Sequence, residues 1–267
     1  MAATFACTIS PTKSDPRPTL AQVSTDQHKF YGSLAPWWPL ISPVEDYADE
    51  AAYLAGLLRQ IREPIRSVLE LGSGGGHLAH HLADEFALTL TDLSPDMLAL
   101  SRVLNPGCVH NQGDMRSLRL AERYDAVIIH DAIDYMTTET DLSAVFATAY
   151  HHLRPGGRLL IVPDDTAETF EPGTAVSGSD SPDGRGARLF EWTWDPDPAD
   201  TWVQTEYVFV LRNADDAVST ASESHHHGLF PEATWIRLLT EAGYTPTSLV
   251  EETDEDRQPR TLFVAQR

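Results

Sequence analysis

Four glycines fall within five residues of the stretch Val68-Leu-Glu-Leu-Gly-Ser-Gly-Gly-Gly76, directly after a short apolar run. Glycine loses more backbone entropy on folding than any other residue, so such a cluster suits a place where the chain turns sharply or approaches a ligand closely. A strand, a glycine-rich turn and a helix together present backbone N–H groups to a ligand, and nucleotide-like ligands often bind there. The stretch therefore predicts a ligand-contacting loop.

The glycine spacing separates this loop from two common nucleotide-binding loops. The NAD-type pattern G-x-G-x-x-G needs a third glycine where this chain has His77. A phosphate-binding loop of the Walker type needs Gly-Lys-Ser/Thr, which does not follow the glycines. Instead an acid, Glu70, stands two residues before the first glycine. An NAD-dependent oxidoreductase is thereby disfavoured, and nicotinamide binding by calorimetry would revive it.

Two polar side chains stand where predicted strands end. Asp92 ends the second predicted strand, where a carboxylate can accept two hydrogen bonds from a ribose diol at the carboxyl edge of an open α/β sheet. His130 ends the fourth predicted strand and begins the stretch His130-Asp-Ala-Ile-Asp-Tyr135. We predict that His130 is a base or orients the substrate, with a purely structural strand-end histidine as the equal alternative.

Three consecutive histidines, His225-His-His-Gly228, end the last strand of a predicted insertion. Strand alternation places His225 and His227 on one face and the middle histidine on the other. A metal site is disfavoured because no further ligands can be located in the sequence. We therefore expect no metal, and we take His225 and His227 as candidate catalytic groups in a polar wall of the substrate pocket.

Strand and helix patterns alternate around these residues. Strands are predicted at 67–71, 87–91, 108–111, 126–130 and 158–162, and helices at 76–85, 95–104 and 139–153. After residue 163 a long loop (164–186) precedes three β-like runs, at 188–194, 202–212 and 218–226; a helix (231–242) and two strands (244–252 and 261–265) close the chain. The sequence predicts an α/β fold: a Rossmann-like seven-stranded, mostly parallel sheet with helices on both faces, plus an inserted antiparallel β meander after the fifth strand.

Five segments follow from this reading. We expect a disordered tail at 1–24, an N-terminal helical lid at 25–64, an α/β core at 65–163, an inserted β subdomain at 164–228, and a C-terminal helix and two strands at 229–267 that complete the core. Within the lid, one short helix is predicted at 26–34. A longer one is predicted to run to residue 62, with Ser42 as its N-cap and Pro43 at its first position.

The composition narrows the class of partner. Forty acidic residues against nineteen basic ones give a formal net charge of −21, which disfavours nucleic acid and acidic membrane surfaces as partners. The two cysteines, Cys7 and Cys108, lie far apart and predict reduced thiols in a cytoplasmic protein. No apolar run reaches about 18 residues, so no membrane span is predicted.

Five stretches, in order along the chain, resemble the class I S-adenosylmethionine (SAM) dependent methyltransferases. They are the glycine loop with its strand (68–76), Leu-Thr-Asp-Leu-Ser-Pro-Asp-Met (90–97), Gln-Gly-Asp-Met (112–115), Tyr-Asp-Ala-Val-Ile-Ile-His (124–130) and Leu-Arg-Pro-Gly-Gly (153–157). The resemblance covers roughly residues 31–262, although the meander matches only loosely. It implies the fold described above, SAM as the cofactor and a small-molecule substrate.

The resemblance also implies site residues. The cofactor-binding set is Glu70, Gly72, Ser73, Gly74, Gly76, Asp92, Leu93, Asp114, Met115 and His130. Of these, the glycine loop would contact the methionine part of SAM, Glu70 its ammonium through water, and Asp114 the adenine amino group. Leu93 and Met115 would pack on the two ring faces. The substrate-contacting set is Tyr31, Trp38, Asp131, Tyr135 and Trp192. For Tyr31 and Trp38 the equal alternative is that they anchor the N-terminal helix in the core. The tryptophans of the insertion are expected to line an apolar pocket or to bury a homodimer contact.

Two hypotheses follow from the resemblance. The first is an enzyme that transfers a methyl group from SAM to nitrogen or oxygen of a small molecule, such as an amino sugar or another secondary-metabolite intermediate. The second is a SAM-binding protein of the same fold with a regulatory or assembly role and no methyl transfer. The fourth strand does not end in Asn/Asp-Pro-Pro-Tyr, which argues against nucleobase and glutamine acceptors. The sequence leaves the acceptor and the oligomeric state open.

Overall fold

The computed structural model describes residues 28–60, 64–251 and 259–267. The predicted disordered tail, the start of the first predicted helix and the predicted helix end at residue 62 lie outside these ranges. Within them, no helix is long and apolar enough to cross a lipid bilayer. The cytoplasmic location stays a prediction.

Seven strands form the main sheet, in the spatial order β3-β2-β1-β4-β5-β11-β10. They are β1 (Ser67–Leu71), β2 (Ala87–Asp92), β3 (Val109–Gln112), β4 (Tyr124–His130), β5 (Leu153–Val162), β10 (Thr245–Val250) and β11 (Thr261–Gln266). The first five are parallel to one another, whereas β11 runs antiparallel to both β5 and β10. The predicted seven-stranded, mostly parallel sheet is confirmed.

Helices cover both faces of this sheet because its central strands are apolar on both sides. Helices α2 (Ala48–Arg59) and α3 (His77–Leu82) pack on one face, and α5 (Glu139–His152) and α6 (Glu232–Glu241) pack on the other. Helix α4 (Pro95–Leu104) follows β2 and begins with the Ser94 side chain accepting a hydrogen bond from the Met97 N–H. The carboxyl ends of β1, β2 and β4 are left uncovered by these helices.

A second sheet follows β5 and contains four antiparallel strands in the order β6-β7-β8-β9. They are β6 (Gly173–Ser177), β7 (Gly186–Trp194), β8 (Trp202–Arg212) and β9 (Val218–Gly228). The inserted meander is confirmed, and it has one strand more than predicted. Strand β6 was missed because it has only five residues, which are mostly exposed and pair only with β7. Its sequence therefore shows no apolar alternation.

The segment before α2 differs from the prediction. It forms short 3-10 turns at Lys29–Tyr31, Ala35–Trp37 and Val44–Tyr47 and one short helix, α1 (Trp38–Ile41), instead of two regular helices. Ser42 is not an N-cap: it follows α1, and its hydroxyl bonds the Tyr47 hydroxyl at 2.8 Å. The segment is held by packing, since Phe30 and Ile41 are buried against the inner face of the second sheet.

Candidate active site

A cavity of about 780 Å³ opens at the carboxyl edge of the main sheet, between the ends of β1, β2 and β4, the N-terminal segment and the inner face of the second sheet. Ligands bind at this edge in open α/β sheets. Eight carboxylates line it, against a single guanidinium (Arg116) among the described lining residues: Asp46, Glu70, Asp92, Asp114, Asp131, Asp134, Asp164 and Glu191. The cavity therefore favours cationic ligands.

The glycine loop forms one wall of the cavity, but its glycines have two different roles. Gly72 and Gly74 line the cavity, and both have a positive φ that side-chain-bearing residues rarely adopt. Gly76 does not line it. A Cβ at Gly76 would stand 2.3 Å from Ser101 Oγ and 2.4 Å from Asn105 Nδ2, so this glycine lets α3 and α4 approach each other. This packing explains the glycine at position 76, and its expected cofactor contact stays a prediction.

This difference predicts opposite outcomes for two alanine substitutions. We expect Gly76→Ala to destabilise the fold by about 2–3 kcal/mol, because the methyl group overlaps α4 and the backbone is strained. Gly74→Ala has open space, with only Met97 Cε at 3.6 Å, so it should cost about 1 kcal/mol of stability and lower SAM affinity about 10-fold or more. Denaturant melts and calorimetric titrations measure both quantities. Equal losses of affinity at the two positions would contradict this division.

Asp92 lies at the end of β2 and is held by the backbone of the glycine loop. Its carboxylate accepts hydrogen bonds from the Gly74 N–H at 2.8 Å and the Ser94 N–H at 2.7 Å. Burial raises its pKa, and these backbone hydrogen bonds oppose the shift. The carboxylate lines the cavity. It therefore has a fixed orientation and further lone pairs that can accept hydroxyl protons of a ligand.

Asp114, Met115 and Leu93 form the neighbouring wall of the cavity. The Asp114 carboxylate accepts from the backbone N–H and the guanidinium of Arg116, with the shortest side-chain distance at 2.7 Å. Burial raises the pKa of Asp114, but the Arg116 hydrogen bonds outweigh that effect and leave the pKa below its usual value. Leu93 and Met115 give this wall two apolar side chains, which suit contact with an aromatic ring.

Glu70 is buried at the end of β1 and lines the cavity beside the glycine loop. Burial raises the pKa of this carboxyl to about 8; the nearby His130 opposes the rise and the carboxylate of Asp92 adds to it. Glu70 is therefore mostly protonated at neutral pH. A cationic group that enters the cavity would favour its ionised form.

His130 lies in a buried ionic network and lines the cavity. Its Nε2 stands 2.7 Å from Glu50 Oε2, and its Nδ1 stands 3.2 Å from Asp131 Oδ2. Arg260 links the same two acids, since its guanidinium pairs with Glu50 and lies 2.8 Å from Asp131. This network joins α2, β4 and the start of β11, and it fixes the ring of His130 between two carboxylates.

A second polar network connects the cavity to the second sheet. The Tyr135 and Tyr31 hydroxyls share a hydrogen bond of 2.8 Å, and the Tyr135 hydroxyl shares another of 2.7 Å with Nδ1 of His225. The other ring nitrogen of His225, Nε2, lies 2.9 Å from a Glu223 carboxylate oxygen. Tyr31 and Tyr135 line the cavity, whereas His225 is fully buried behind Tyr135.

Two further histidines surround this network. His227 lines the cavity on the same face of β9 as His225, and burial lowers its pKa to about 3. The ring of His28 lies 4.1 Å from that of His225, and burial lowers its pKa to about 4. Both rings are neutral at pH 7. Within the described ranges, no group of three or more His, Cys, Asp or Glu side chains is arranged to hold a metal ion.

The tryptophans do not all lie where the sequence placed them. Trp38 lies beside the glycine loop, with its nearest atom 3.1 Å from the position that a Gly75 Cβ would occupy, and it lines the cavity. Trp192 is half exposed on the outer face of the second sheet and does not line the cavity. Alternation along β7 turns Leu189 and Glu191 inward and Trp192 outward, so this position supports the alternative of a homodimer contact, and the predicted substrate contact stays a prediction.

Several buried polar atoms at the cavity lack a hydrogen-bond partner in the described part of the chain. They are Nδ1 of His28, the Trp38 indole N–H, the Ser73 hydroxyl, Nδ1 of His77 and one carboxylate oxygen of Asp134. Buried polar groups are nearly always paired, so these atoms mark places for ligand groups. Sequence reasoning missed Asp134 as a site residue although it quoted the stretch that contains it. It also missed Glu223 and Arg260, for which local sequence gives no signal.

A family model described as "Methyltransferase domain" matches residues 68–157. Two curated relatives are named as N,N-dimethyltransferases of nucleotide-linked amino sugars. The dTDP-3-amino-3,4,6-trideoxy-alpha-D-glucopyranose enzyme of Streptomyces venezuelae is 31% identical, covering 82% of this chain and 91% of the relative. The dTDP-3-amino-3,6-dideoxy-alpha-D-glucopyranose enzyme of Streptomyces fradiae is 29% identical, covering 81% and 86%.

Solved structures give the same picture. DesVI from Streptomyces venezuelae superimposes with a TM-score of 0.74 at 29% identity, covering 82% of this chain and 91% of that chain. SAM-bound CalS10, an amino pentose methyltransferase from Micromonospora echinaspora, superimposes with a TM-score of 0.69 at 26% identity, covering 83% and 91%.

Proposed function

Because the chain belongs to the class I SAM-dependent methyltransferases, we propose that it methylates the amino group of a sugar or a similar small molecule. The relatives named above act on amino sugars, and the acidic cavity is the observation in this chain that supports an amine acceptor. An alkyl amine is cationic in neutral water, and carboxylates attract it. The outcome would be N-methylation, with O-methylation as the less supported alternative.

The cavity residues fit SAM, whose bound sulfonium supplies an activated methyl group. Two unpaired polar groups, the Ser73 hydroxyl in the glycine loop and the Trp38 indole N–H beside Gly75, are suited to a carboxylate. Glu70 lies beside that loop and is suited to the ammonium. Asp92 is suited to the ribose diol and Asp114 to the adenine amino group, as the resemblance implies. The positively charged cofactor also suits the acidic lining.

We place the acceptor amine at the opposite end of the cavity, where the end of β4 faces the second sheet. Asp134 is buried there, and one of its carboxylate oxygens has no partner within the described residues. Burial raises its pKa well above the usual value, and the carboxylate of Asp164 adds to the rise. A cationic amine would reverse that shift and form a charge-assisted hydrogen bond.

The N-terminal segment, residues 28–60, serves in this proposal as a lid. Tyr31 and Trp38 close the cavity from one side, and the ionic network of Glu50, His130 and Arg260 ties the following helix to the sheet edge. Closure excludes water and aligns the amine behind the methyl carbon, and alignment contributes much of the rate enhancement in such transfers. His130 would fix the lid and the adjacent Asp131 in place.

A direct assay tests the proposal. Purified protein is incubated with methyl-labelled SAM and either dTDP-3-amino-3,6-dideoxy-α-D-glucopyranose or the matching sugar with a 3-hydroxyl group. We expect label on the amino sugar and little on the hydroxyl analogue. Tight SAM binding without transfer to these or to a wider panel of small amines would support the regulatory or assembly role instead.

The outer face of the second sheet is proposed as the contact between two copies of this chain. Phe190, Trp192, Val208 and Val210 are exposed there, on strands whose outward side chains are mostly uncharged. Two chains with a net charge of −21 repel each other. They can associate most readily through a face with few acidic groups.

Trp192→Glu is expected to convert the dimer into a monomer, since it puts two new charges into the apolar centre of the contact. Val103→Glu on α4 is the matched control, because that valine is 83% exposed away from the second sheet. Sedimentation velocity at micromolar concentration measures the mass of each. A wild-type monomer, or a dimer that survives Trp192→Glu, contradicts the proposed contact.

A further inference from the structure

We propose that His225 takes up the proton that the acceptor amine must lose, through a relay of the Tyr31 and Tyr135 hydroxyls, with Glu223 as the counterion. This inference rests on the proposed amine acceptor. The carrying observation is an unbroken set of hydrogen bonds from the cavity to a buried carboxylate: 2.8 Å between the two phenols, 2.7 Å to Nδ1 of His225, and 2.9 Å from Nε2 to Glu223.

An amine acceptor has a specific need for such a path. Only the neutral amine has the lone pair that forms the new N–CH₃ bond, whereas an alkyl ammonium arrives with that pair bound to a proton. A second transfer to the same nitrogen repeats the requirement, because the methylated product is itself an ammonium. The carboxylates that attract the cation also stabilise it, so a site that binds the ammonium well needs a defined exit for the proton.

Neither tyrosine is itself the base. Burial raises the pKa of Tyr31 and of Tyr135 far above the usual phenol value, so neither loses its proton for long. A phenol can nevertheless accept one proton on its oxygen while it releases its own to the next group. A proton that passes through the two phenols therefore ends beyond them, and His225 Nδ1 is the next atom in the chain of hydrogen bonds.

The same heavy-atom positions accommodate two proton arrangements. In one, His225 is neutral and its Nε2–H donates to Glu223. The Tyr31 hydroxyl then donates to the Tyr135 hydroxyl, which donates to Nδ1 of His225. In the other, Nδ1 carries a proton and donates to Tyr135, which donates to Tyr31. The transfer breaks one N–H bond of the ammonium and one O–H bond in each phenol. It forms two O–H bonds and the Nδ1–H bond, so no proton or charge is lost.

The surroundings distinguish His225 from its neighbours. Glu223 is held by the backbone N–H groups of Lys29 and Phe30; burial raises its pKa, but the hydrogen bond to His225 and these N–H groups lower it below the usual value. The titratable groups that face the His225 ring are His28 from the N-terminal segment, Tyr207 from β8, Tyr135, Tyr31, His227 and Glu223. Burial lowers the pKa of His28 and of His227, so both stay neutral at pH 7, and Glu223 is the anionic partner bonded to the ring.

The kinetic test uses methyl transfer to dTDP-3-amino-3,6-dideoxy-α-D-glucopyranose. We expect kcat to fall about 100-fold in His225→Gln and in Tyr135→Phe, with SAM affinity within about 2-fold of wild type. The double variant should be no slower than either single variant, because both changes cut one path. His80→Gln, an exposed histidine on α3, is the control and should be unchanged. Additive losses, or losses in SAM affinity alone, contradict the relay.

The pH dependence adds a signature that a merely structural role would not give. In wild type the acidic limb of kcat reports protonation of the relay's terminal base. Glu223→Gln removes the counterion of the imidazolium, so the limb should move to lower pH by about one to two units. Nitrogen-15 NMR of the histidine rings in the free enzyme should show the same displacement for His225. If the amino sugar is not methylated at all, the proposed acceptor is wrong; an NMR titration unmoved by Glu223→Gln contradicts the relay independently.

Discussion

Asp92→Ala is expected to weaken SAM binding about 1,000-fold, because two charge-assisted hydrogen bonds to the ribose are lost together. The carboxylate is already oriented by the Gly74 and Ser94 N–H groups, at 2.8 and 2.7 Å. The two ribose hydrogen bonds therefore form without the entropy cost of ordering the Asp92 side chain. Isothermal titration of SAM into both proteins measures the difference. Asp96→Ala is the matched control, since Asp96 is exposed in the first turn of α4 and does not line the cavity.

Asp92→Ala also removes the carboxylate that accepts the Gly74 N–H and orients the glycine loop. A second experiment must therefore separate the loss of the ribose contact from the loss of support for the loop. S-adenosylhomocysteine and its 2′,3′-dideoxy analogue, which lacks both ribose hydroxyls, form a cycle with the two proteins. We expect the dideoxy analogue to bind wild type more weakly but to lose nothing further in Asp92→Ala. If SAM affinity is unchanged in the variant, Asp92 is not part of the cofactor site. If SAM affinity falls, but the loss from Asp92→Ala and the loss from removing the ribose hydroxyls are additive, then Asp92 only supports the loop.

The sequence predicts the carboxyl edge of the sheet well, because the signals there are local. A short apolar strand, a glycine cluster and an acid at the end of the next strand each follow from a few adjacent residues. The main sheet, the insertion and the placement of Glu70, Asp92 and Asp114 at the cavity agree with that reading. Their contacts with SAM stay predictions.

Local sequence does not decide the positions whose surroundings depend on distant packing. Alternation along β7 divides its residues into two sets, but both sets contain large apolar side chains, Leu189 in one and Phe190 and Trp192 in the other. Which set faces inward is decided by the N-terminal segment that packs on the sheet, 150 or so residues earlier in the chain. Likewise Gly76 matches the motif, yet its neighbours on α4 decide its role.

The ionic network around His130 and the polar network around His225 also depend on contacts between residues far apart in the sequence. Arg260 meets His130 and Asp131 across about 130 residues of sequence, and His225 meets Tyr135 across 90. Neither pairing has a spacing that a single sequence reveals. Sequence reasoning named His130, His225 and Tyr135 as separate candidates. The structure divides them, with His130 between two carboxylates that tie the lid to the sheet and His225 at the end of a hydrogen-bonded path from the cavity.

Glu70→Gln is expected to stabilise the cofactor-free protein and to weaken SAM binding. In the folded protein burial raises the pKa of Glu70 from 4.5 to about 8, so the unfolded chain binds fewer protons between those two pH values. The stability that this carboxyl contributes is therefore fully present below about pH 4.5. It falls steadily as the pH rises from there, and the loss is complete once the pH has passed the folded pKa of about 8. At pH 7 the ionisable carboxyl costs on the order of 3 kcal/mol, which glutamine should restore, whereas at pH 4 the two proteins should be equally stable.

The cofactor should reverse this cost in the wild type. Its ammonium beside Glu70 favours the ionised carboxylate, so SAM binding should release a proton, and affinity should rise as the pH increases towards about 8. Glu70→Gln should lose both effects and bind about 100-fold more weakly at pH 8. Titrations in two buffers of different ionisation enthalpy count the released proton, and the exposed Glu122→Gln is the control. If Glu70→Gln is no more stable at pH 7 and binds SAM normally, then Glu70 neither destabilises the cofactor-free protein nor contacts the ammonium of SAM. A variant that gains stability and loses affinity would show that the buried acid is kept for the ligand at the expense of the fold.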